Sequence, residues 1–321
     1  MTSPEYFRAS SRASPGENDV AQLEGQTRAL RAVDYQCGGG MCRDAVLVRI
    51  HRGHEMLGQA ADAVRHRLFS AVSDLHNLAG WTCFDSGHVG AAHHHLDLAL
   101  ELAAEGGNED LAANIHYRRG RIHLHHGAAD EALAQFQLGQ LAAQRSGSRL
   151  AVSILCANQA WAYARKGEVE LALGLLGRAQ EEFAAADVVE APDWARFFTA
   201  TDVAAMVGTV HIELALTVGV PHTAAAVPAL VEAVARYGPE MARSRSFCLA
   251  MLATGHLLDG DIEHGAEIGS QAIITAETLK SVRTKDRLRP LKREADKRRD
   301  NPAARALAAD IAAFVAHPTH T

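Results

Sequence analysis

The sequence predicts an all-α protein made of stacked helical hairpins, on three observations. Gly87, Gly127 and Gly167 stand forty residues apart, and a fixed period of about 20 to 50 residues marks a chain built by repetition. The same residue order recurs around them: Gly80, Gly87, Ala92, Leu96 and Ala99; then Gly120, Gly127, Ala132 and Phe136; then Ala160, Gly167, Ala172, Leu176 and Ala179. The composition is rich in alanine and only 5% aromatic, without alternating β-branched runs, which favours helix over strand.

Each element follows from its local pattern. Residues 1–17 carry Ser, Pro and Gly and are expected to be disordered. A helix is expected from about Asn18 to Tyr35 on Val20, Leu23, Leu30 and Val33, and Gly38-Gly39-Gly40 breaks it as a hinge or turn. A second runs from about Cys42 to Ala60. A third starts near Asp62 and enters the tract Asp74–Leu102, which reads as two helices folded back at Gly87, where a left-handed backbone favours a residue without Cβ. Pro192 ends the helix of the third repeat. A long helix is expected from about Trp194 to Val218, with its partner between Pro221 and Tyr237. A fifth unit turns at Gly260, the segment Arg283–Asp300 is basic, and a short helix near Ala303–Val315 closes the chain. The domain reading is one α-solenoid over 18–318, with repeats at about 66–107, 108–147, 148–188, 193–238 and 241–281 and C-terminal basic and capping helices over 283–316.

The order of small residue, turn glycine, alanine and large apolar residue resembles the tetratricopeptide repeat, usually about 34 residues long, with longer helices here. The expected fold is a tetratricopeptide-like helical-hairpin solenoid of about five repeats with terminal capping helices. In such stacks the first helix of each pair lines the concave surface, and residues at i, i+3, i+7 and i+11 share a face. That face is Asp74, Asn77, Trp81 and Asp85 in the first repeat, and Asn114, Tyr117, Arg121 and His125 in the second. In the third it is Ile154, Ala157, Trp161 and Arg165, with Asn158 beside it. Read across repeats, Trp81, Arg121 and Trp161 form one rung series and Asp85, His125 and Arg165 another. Arginine over indole contributes about 0.5–2 kcal/mol. Two readings of this face stand: a polar, aromatic groove for a small molecule or peptide, or rungs that only satisfy one another and hold the stack.

Histidines are numerous, 18 in all. His93-His94-His95 point in three directions along a helix and do not chelate one metal together. His123 and His126 are i, i+3 neighbours and form the low-ranked metal alternative, short of the three or four ligands that zinc needs. His76 and His116 occupy equivalent repeat positions, which implies a shared packing role. No nucleophile elbow, P-loop or dinucleotide fingerprint is present. Five cysteines (37, 42, 83, 156 and 248) read as reduced thiols. A net charge of −6 argues against a surface that binds nucleic acid throughout. The basic segment 283–300 reads as a solvated terminal cap, with phosphate or an acidic partner as its alternative. No apolar run is long enough to span a membrane and no signal peptide is evident, so the expected location is cytoplasmic.

The tracts YQCGGGMCRDAV (35–46), LHNLAGWTCFDSG (75–87), YGPEMARSRS (237–246) and LKSVRTKDRLRPLKREA (279–295) together resemble the tetratricopeptide-like sensor region of actinobacterial XRE-type helix-turn-helix regulators. The resemblance covers about residues 20–300 and implies a region that senses a ligand or partner and mediates dimerisation, often in control of secondary metabolism or development. The family's DNA-binding helix pair has no counterpart ahead of the first helix, so the expectation is the sensor without the DNA reader.

The functional expectation is a regulatory binding protein with no catalytic residues and no cofactor, acting on a separate DNA-binding regulator, without direct DNA or membrane binding, and able to form a homodimer. Its groove is Asp74, Asn77, Trp81, Asp85, Asn114, Tyr117, Arg121, His125, Asn158, Trp161 and Arg165. The alternative is a metal-dependent enzyme that uses clustered histidines.

Overall fold

The computed structural model describes residues 14–316, and the expected disordered N-terminus lies outside it as far as residue 13. Fourteen α-helices follow one another among the described residues: α1 Glu17–Cys37, α2 Arg43–Leu57, α3 Asp62–Asp85, α4 Val89–Glu105, α5 Glu109–His125, α6 Ala129–Arg145, α7 Arg149–Arg165, α8 Val169–Ala184, α9 Ala200–Thr217, α10 Thr223–Arg236, α11 Ala242–Asp259, α12 Ile262–Glu277, α13 Val282–Asp296 and α14 Pro302–Ala316. Consecutive helices pack as pairs, α3 on α4, α5 on α6, α7 on α8, α9 on α10 and α11 on α12, and each pair leans on the next. The result is an all-α fold of tightly packed helical hairpins. No helix among the described residues is long and apolar enough to cross a membrane.

The interval of forty has a backbone cause. Gly87, Gly127 and Gly167 turn within hairpins at φ of 83°, 85° and 75°, and Gly107 and Gly147 turn between them at 63° and 75°. Side chains repeat the interval as well. Ser73 Oγ donates to the Ala99 carbonyl and Ser153 Oγ to that of Ala179, each at 2.6 Å. His76 Nδ1 meets His95 Nδ1 at 3.0 Å, and one repeat on His116 Nδ1 meets Gln135 Oε1 at 2.9 Å, so the equivalent histidines do share a packing role.

The two helices of a hairpin bury differently. α4 buries one stripe, Ala92, Leu96, Ala99 and Ala103, the spacing of an outer amphipathic helix. α7 is buried without a break from Leu150 to Ala162, because a neighbour covers every side of it. Close approach is set by the small residues: a Cβ on Gly80 would stand 2.6 Å from Leu96 Cγ, and one on Gly120 would enter the Phe136 ring.

Three local expectations change. α8 ends at Ala184, ahead of Pro192, so the proline is not what ends that helix. The helix expected from Trp194 begins at Ala200, after turns. Asp202 Oδ2 accepts from the Thr199 amide at 3.0 Å and from its hydroxyl at 2.9 Å, and this reciprocal cap fixes the start. The remaining change concerns the basic segment 283–300. It forms α13, and Arg283 and Glu294 on it are buried, so it is built into the body and is not a solvated cap.

The stack curves until its ends meet. The Lys280 amide donates to the Cys37 carbonyl at 3.0 Å, and α1 packs on α11. The triple glycine lies at this seam. A Cβ on Gly38, at φ 90°, would stand 2.6 Å from the Lys280 carbonyl oxygen, and one on Gly39 would stand 2.8 Å from Thr82 Cα.

Candidate binding site

The seam carries a buried ionic chain through four helices. Arg243 of α11 donates to Asp34 of α1 (Oδ1 3.1 Å, Oδ2 3.2 Å) and to Asp85 of α3 (Oδ2 3.2 Å). Asp85 also accepts from the Gly39 amide at 2.8 Å, Ser281 Oγ at 2.7 Å and Arg283 Nε at 2.5 Å. Desolvation works to raise the Asp85 pKa, but Arg283, then Arg243, and the Gly39 and Ser281 donors outweigh it and hold the carboxyl at about 2. Asp34 and Asp85 are both fully buried; each is a charge neutralised on the spot.

Inside this closure lies a cavity of about 140 Å³. Three inner helices supply one wall through Trp81, Asn114, Tyr117, Arg121, Ile154, Asn158 and Trp161. The opposite side comes from Trp194, Phe197 and Phe198, from α9 (Asp202, Ala205, Thr209), from α11 (Ser244, Phe247, Met251) and from Arg283 and Arg287 of α13. All three tryptophans of the chain are therefore on it.

The guanidinium groups stack on the rings. Arg121 lies over Trp161 at 4.7 Å and over Tyr117 at 5.8 Å. Arg287 also lies over Trp161, at 4.3 Å, and over Phe247 at 5.4 Å. Trp81 is covered by Arg283 at 4.3 Å and Arg118 at 5.3 Å. The expected Arg121 stacking thus holds for one indole; the other is covered by Arg118 of the same helix as Arg121 and by Arg283 from the far end of the chain. Tyr117 and Trp194 stack with ring centroids 6.4 Å apart and planes 23° apart.

Of the eleven residues placed on the groove by sequence, Trp81, Asn114, Tyr117, Arg121, Asn158 and Trp161 line this one cavity. The other five are engaged elsewhere. Asp74 accepts from Arg31 Nη2 at 2.5 Å, and Asn77 Nδ2 donates to Asn114 Oδ1 at 2.6 Å. Asp85 sits in the ionic chain, and His125 Nε2 meets Asp286 Oδ2 at 2.9 Å. Arg165 donates to the Leu124 carbonyl. The rung series Asp85, His125 and Arg165 therefore finds its partners on other elements and not within the series.

Arg118, Trp194, Asp202, Phe247, Arg283 and Arg287 were not on the sequence-derived face. A signal existed for part of them. Asp202, Ala205 and Thr209, and again Ser244, Phe247 and Met251, follow the i, i+3, i+7 spacing of Asn114, Tyr117 and Arg121. Extending the face rule to the fourth and fifth hairpins finds them.

The charge in the cavity is lopsided. Burial, with Arg31 next, pushes Arg118 down to about 10, and burial, with Arg121 next, pushes Arg287 down to about 9. Burial raises Asp202 despite donors from Tyr237 and Thr199. The five cysteines are free, and burial holds Cys156 at about 11 and Cys42 and Cys248 at about 12, so these three thiols stay protonated at neutral pH. His123 lies 5.6 Å from His93 ring to ring, and His126 Nδ1 bonds the Ile122 carbonyl at 2.8 Å. Among the described residues no group of three or more His, Cys, Asp or Glu side chains is placed to hold a metal, so the metal-enzyme alternative has no ligand cluster behind it.

Fold and cavity together define an all-α scaffold of helical hairpins with a recessed cavity of aromatic rings and arginines on its inner side. No family model matches the chain, and no curated protein matches it in sequence. Among solved structures, the chain is similar to BtubC (BKLC) from P. vanneervenii, at a TM-score of 0.51 and 16% identity over 73% of this chain and 89% of that one. At that identity the likeness shows the fold alone.

Proposed function

We propose that this chain is a regulatory binding protein, a tetratricopeptide-like module that takes a ligand on its inner face and acts on a partner regulator. Control of secondary metabolism is the setting that the resemblance to sensor regions of XRE-type regulators implies, and the cytoplasm is its place. One observation carries the reading: all three tryptophans, with five arginines, line a single cavity. Recessed sites with rings and a few convergent polar groups are the usual form of a small-molecule site. At about 140 Å³ the cavity suits a small molecule better than a peptide helix, whose diameter is about 10 Å.

Native mass spectrometry of the protein purified from its own host tests this. The expected result is a species heavier than the bare chain, lost from Arg121→Ala and Trp161→Ala variants whose helical circular dichroism matches the parent. Bare chain alone from the host, or a guest retained by both variants, contradicts it.

A further inference from the structure

The cavity specifies the charge of its guest. Five guanidinium groups line it, against the single carboxylate of Asp202. Arg243 and Arg283 are neutralised by Asp34 and Asp85 behind the wall. Arg118, Arg121 and Arg287 have no ion pair among the described residues. Arg118 donates to the Asn77 carbonyl at 2.6 Å and Arg121 to Asn158 Oδ1 at 3.2 Å. Arg287, half-buried, stacks on Trp161 and Phe247 and makes no hydrogen bond or ion pair among the described residues, with Glu213 a nearby counter-charge. Two donors in the lining are both buried and unpartnered, Arg283 Nη2 and Trp194 Nε1, on residues only 4% and 5% exposed.

A buried donor without an acceptor is costly, and a charged one more so. Every unused polar atom named here is a donor, and the charge excess is positive. A cationic guest leaves that cost standing, a neutral guest can accept hydrogen bonds but leaves the excess charge, and an anion offsets both. Phe197, Phe198, Met251 and the three indoles give the lining broad apolar surfaces between its polar groups, so the guest has an apolar body beside its charge. Size narrows it further: an apolar cavity of about 150 Å³ admits benzene.

We propose that the cavity is a receptor site for a small arenecarboxylate, its carboxylate taking the donors of Arg287 and Arg283 and its ring packing on the surrounding indoles. This rests on the binding-protein reading and deepens it. Guanidinium matches carboxylate as a fork, with two parallel hydrogen bonds, and α13 brings both arginines to the cavity from one helical turn.

The test uses the full chain, its own tryptophan emission and its melting temperature, with benzoate and phenylacetate as probes and benzamide as the neutral control. A carboxylate of the panel is expected to change the emission saturably and raise the melting temperature by a few degrees, with benzamide at least about tenfold weaker. Arg287→Met is expected to lose both responses. Empty, it is expected to melt close to the parent, since Arg287 is only half-buried and makes no ion pair among the described residues, with Glu213 a nearby counter-charge. If that variant does not fold, Arg287→Lys decides: it keeps the charge without the fork, and about tenfold weaker binding is expected. The inference is overturned if neither carboxylate gives a saturable response, if benzamide binds as tightly, or if the Arg287 variant that folds binds benzoate unchanged. A neutral or cationic guest found by native mass spectrometry also overturns it, while leaving the binding-protein reading in place.

Discussion

Asp85 ties the inner wall to both ends of the chain. It is fully buried, it accepts from a backbone amide, a serine and two arginines, and it stays ionised down to about pH 2. Asp85→Asn leaves Arg243 with Asp34 alone and Arg283 without a paired carboxylate, and stranding buried charge in this way costs about 3–5 kcal/mol. Urea unfolding at neutral pH is expected to show that loss; a change within error of zero would mean that the ionic chain is not closed in solution. Its folded pKa lies below the unfolded value, so the contribution is present above about pH 4 and is lost as pH falls toward 2. From sequence, Asp85 reads as a groove residue because its spacing from Trp81 is helical. Its partners Arg243 and Arg283 lie 158 and 198 residues away, beyond any local pattern.

At the scale of the helices, the hairpins are joined by imidazoles, and these make the fold sensitive to acid. Burial, followed by the neighbouring His95, His54 and His94, pushes His76 down to about 3. Burial lowers His95, His116, His123, His125, His211 and His256 as well. Each is lower in the folded chain than the ordinary 6.5 or so, so the unfolded chain binds more protons. The associated stability is whole above about pH 6.5 and declines as pH falls from there toward 3, by about 1.4 kcal/mol per pH unit for each histidine still neutral in the fold. The urea midpoint is expected to fall steadily between pH 7 and pH 5, with a shallower slope in His76→Leu; a flat profile contradicts the packing of these rings. Glycine substitutions separate close approach from mere helix. Gly120→Ala drives a Cβ into Phe136 and is expected to cost about 1–3 kcal/mol, whereas Gly174 of α8 meets nothing within 4 Å and Gly174→Ala is expected to gain about 0.5–1 kcal/mol. Equal effects on the melting temperature would contradict the assigned inner and outer faces. Helices and turns were legible because the turn glycines, the alanines and the i, i+3, i+7 faces are local signals. The start of α9 was not, since Trp194, Phe197 and Phe198 look like an apolar helical run until the Thr199 and Asp202 cap is recognised.

For the whole molecule, curvature decides what the inner face becomes. A straight stack of these hairpins leaves Trp81 and Trp161 along an open groove, which is how the sequence reads. The stack instead brings α11 and α13 back to α1 and α3, and the groove becomes a recessed cavity roofed by arginines from residues 283 and 287. No periodic signal encodes this closure. The triple glycine at the seam is its one local trace, and it reads as a turn until the Lys280 backbone is seen against it. The basic composition of α13 is a cost at the level of the fold that a charged guest would offset, which links the closure to the proposed binding.

The most direct test of the closed inner face is collisional quenching of tryptophan emission by succinimide, a neutral quencher that the arginines do not attract. Trp81, Trp161 and Trp194 are 6%, 3% and 5% exposed, so the native chain is predicted to show blue-shifted emission and uniformly shallow quenching that becomes steep only on unfolding in urea. A native chain with one indole quenched as readily as free tryptophan would mean an open groove, and the cavity on which the binding account rests would not exist.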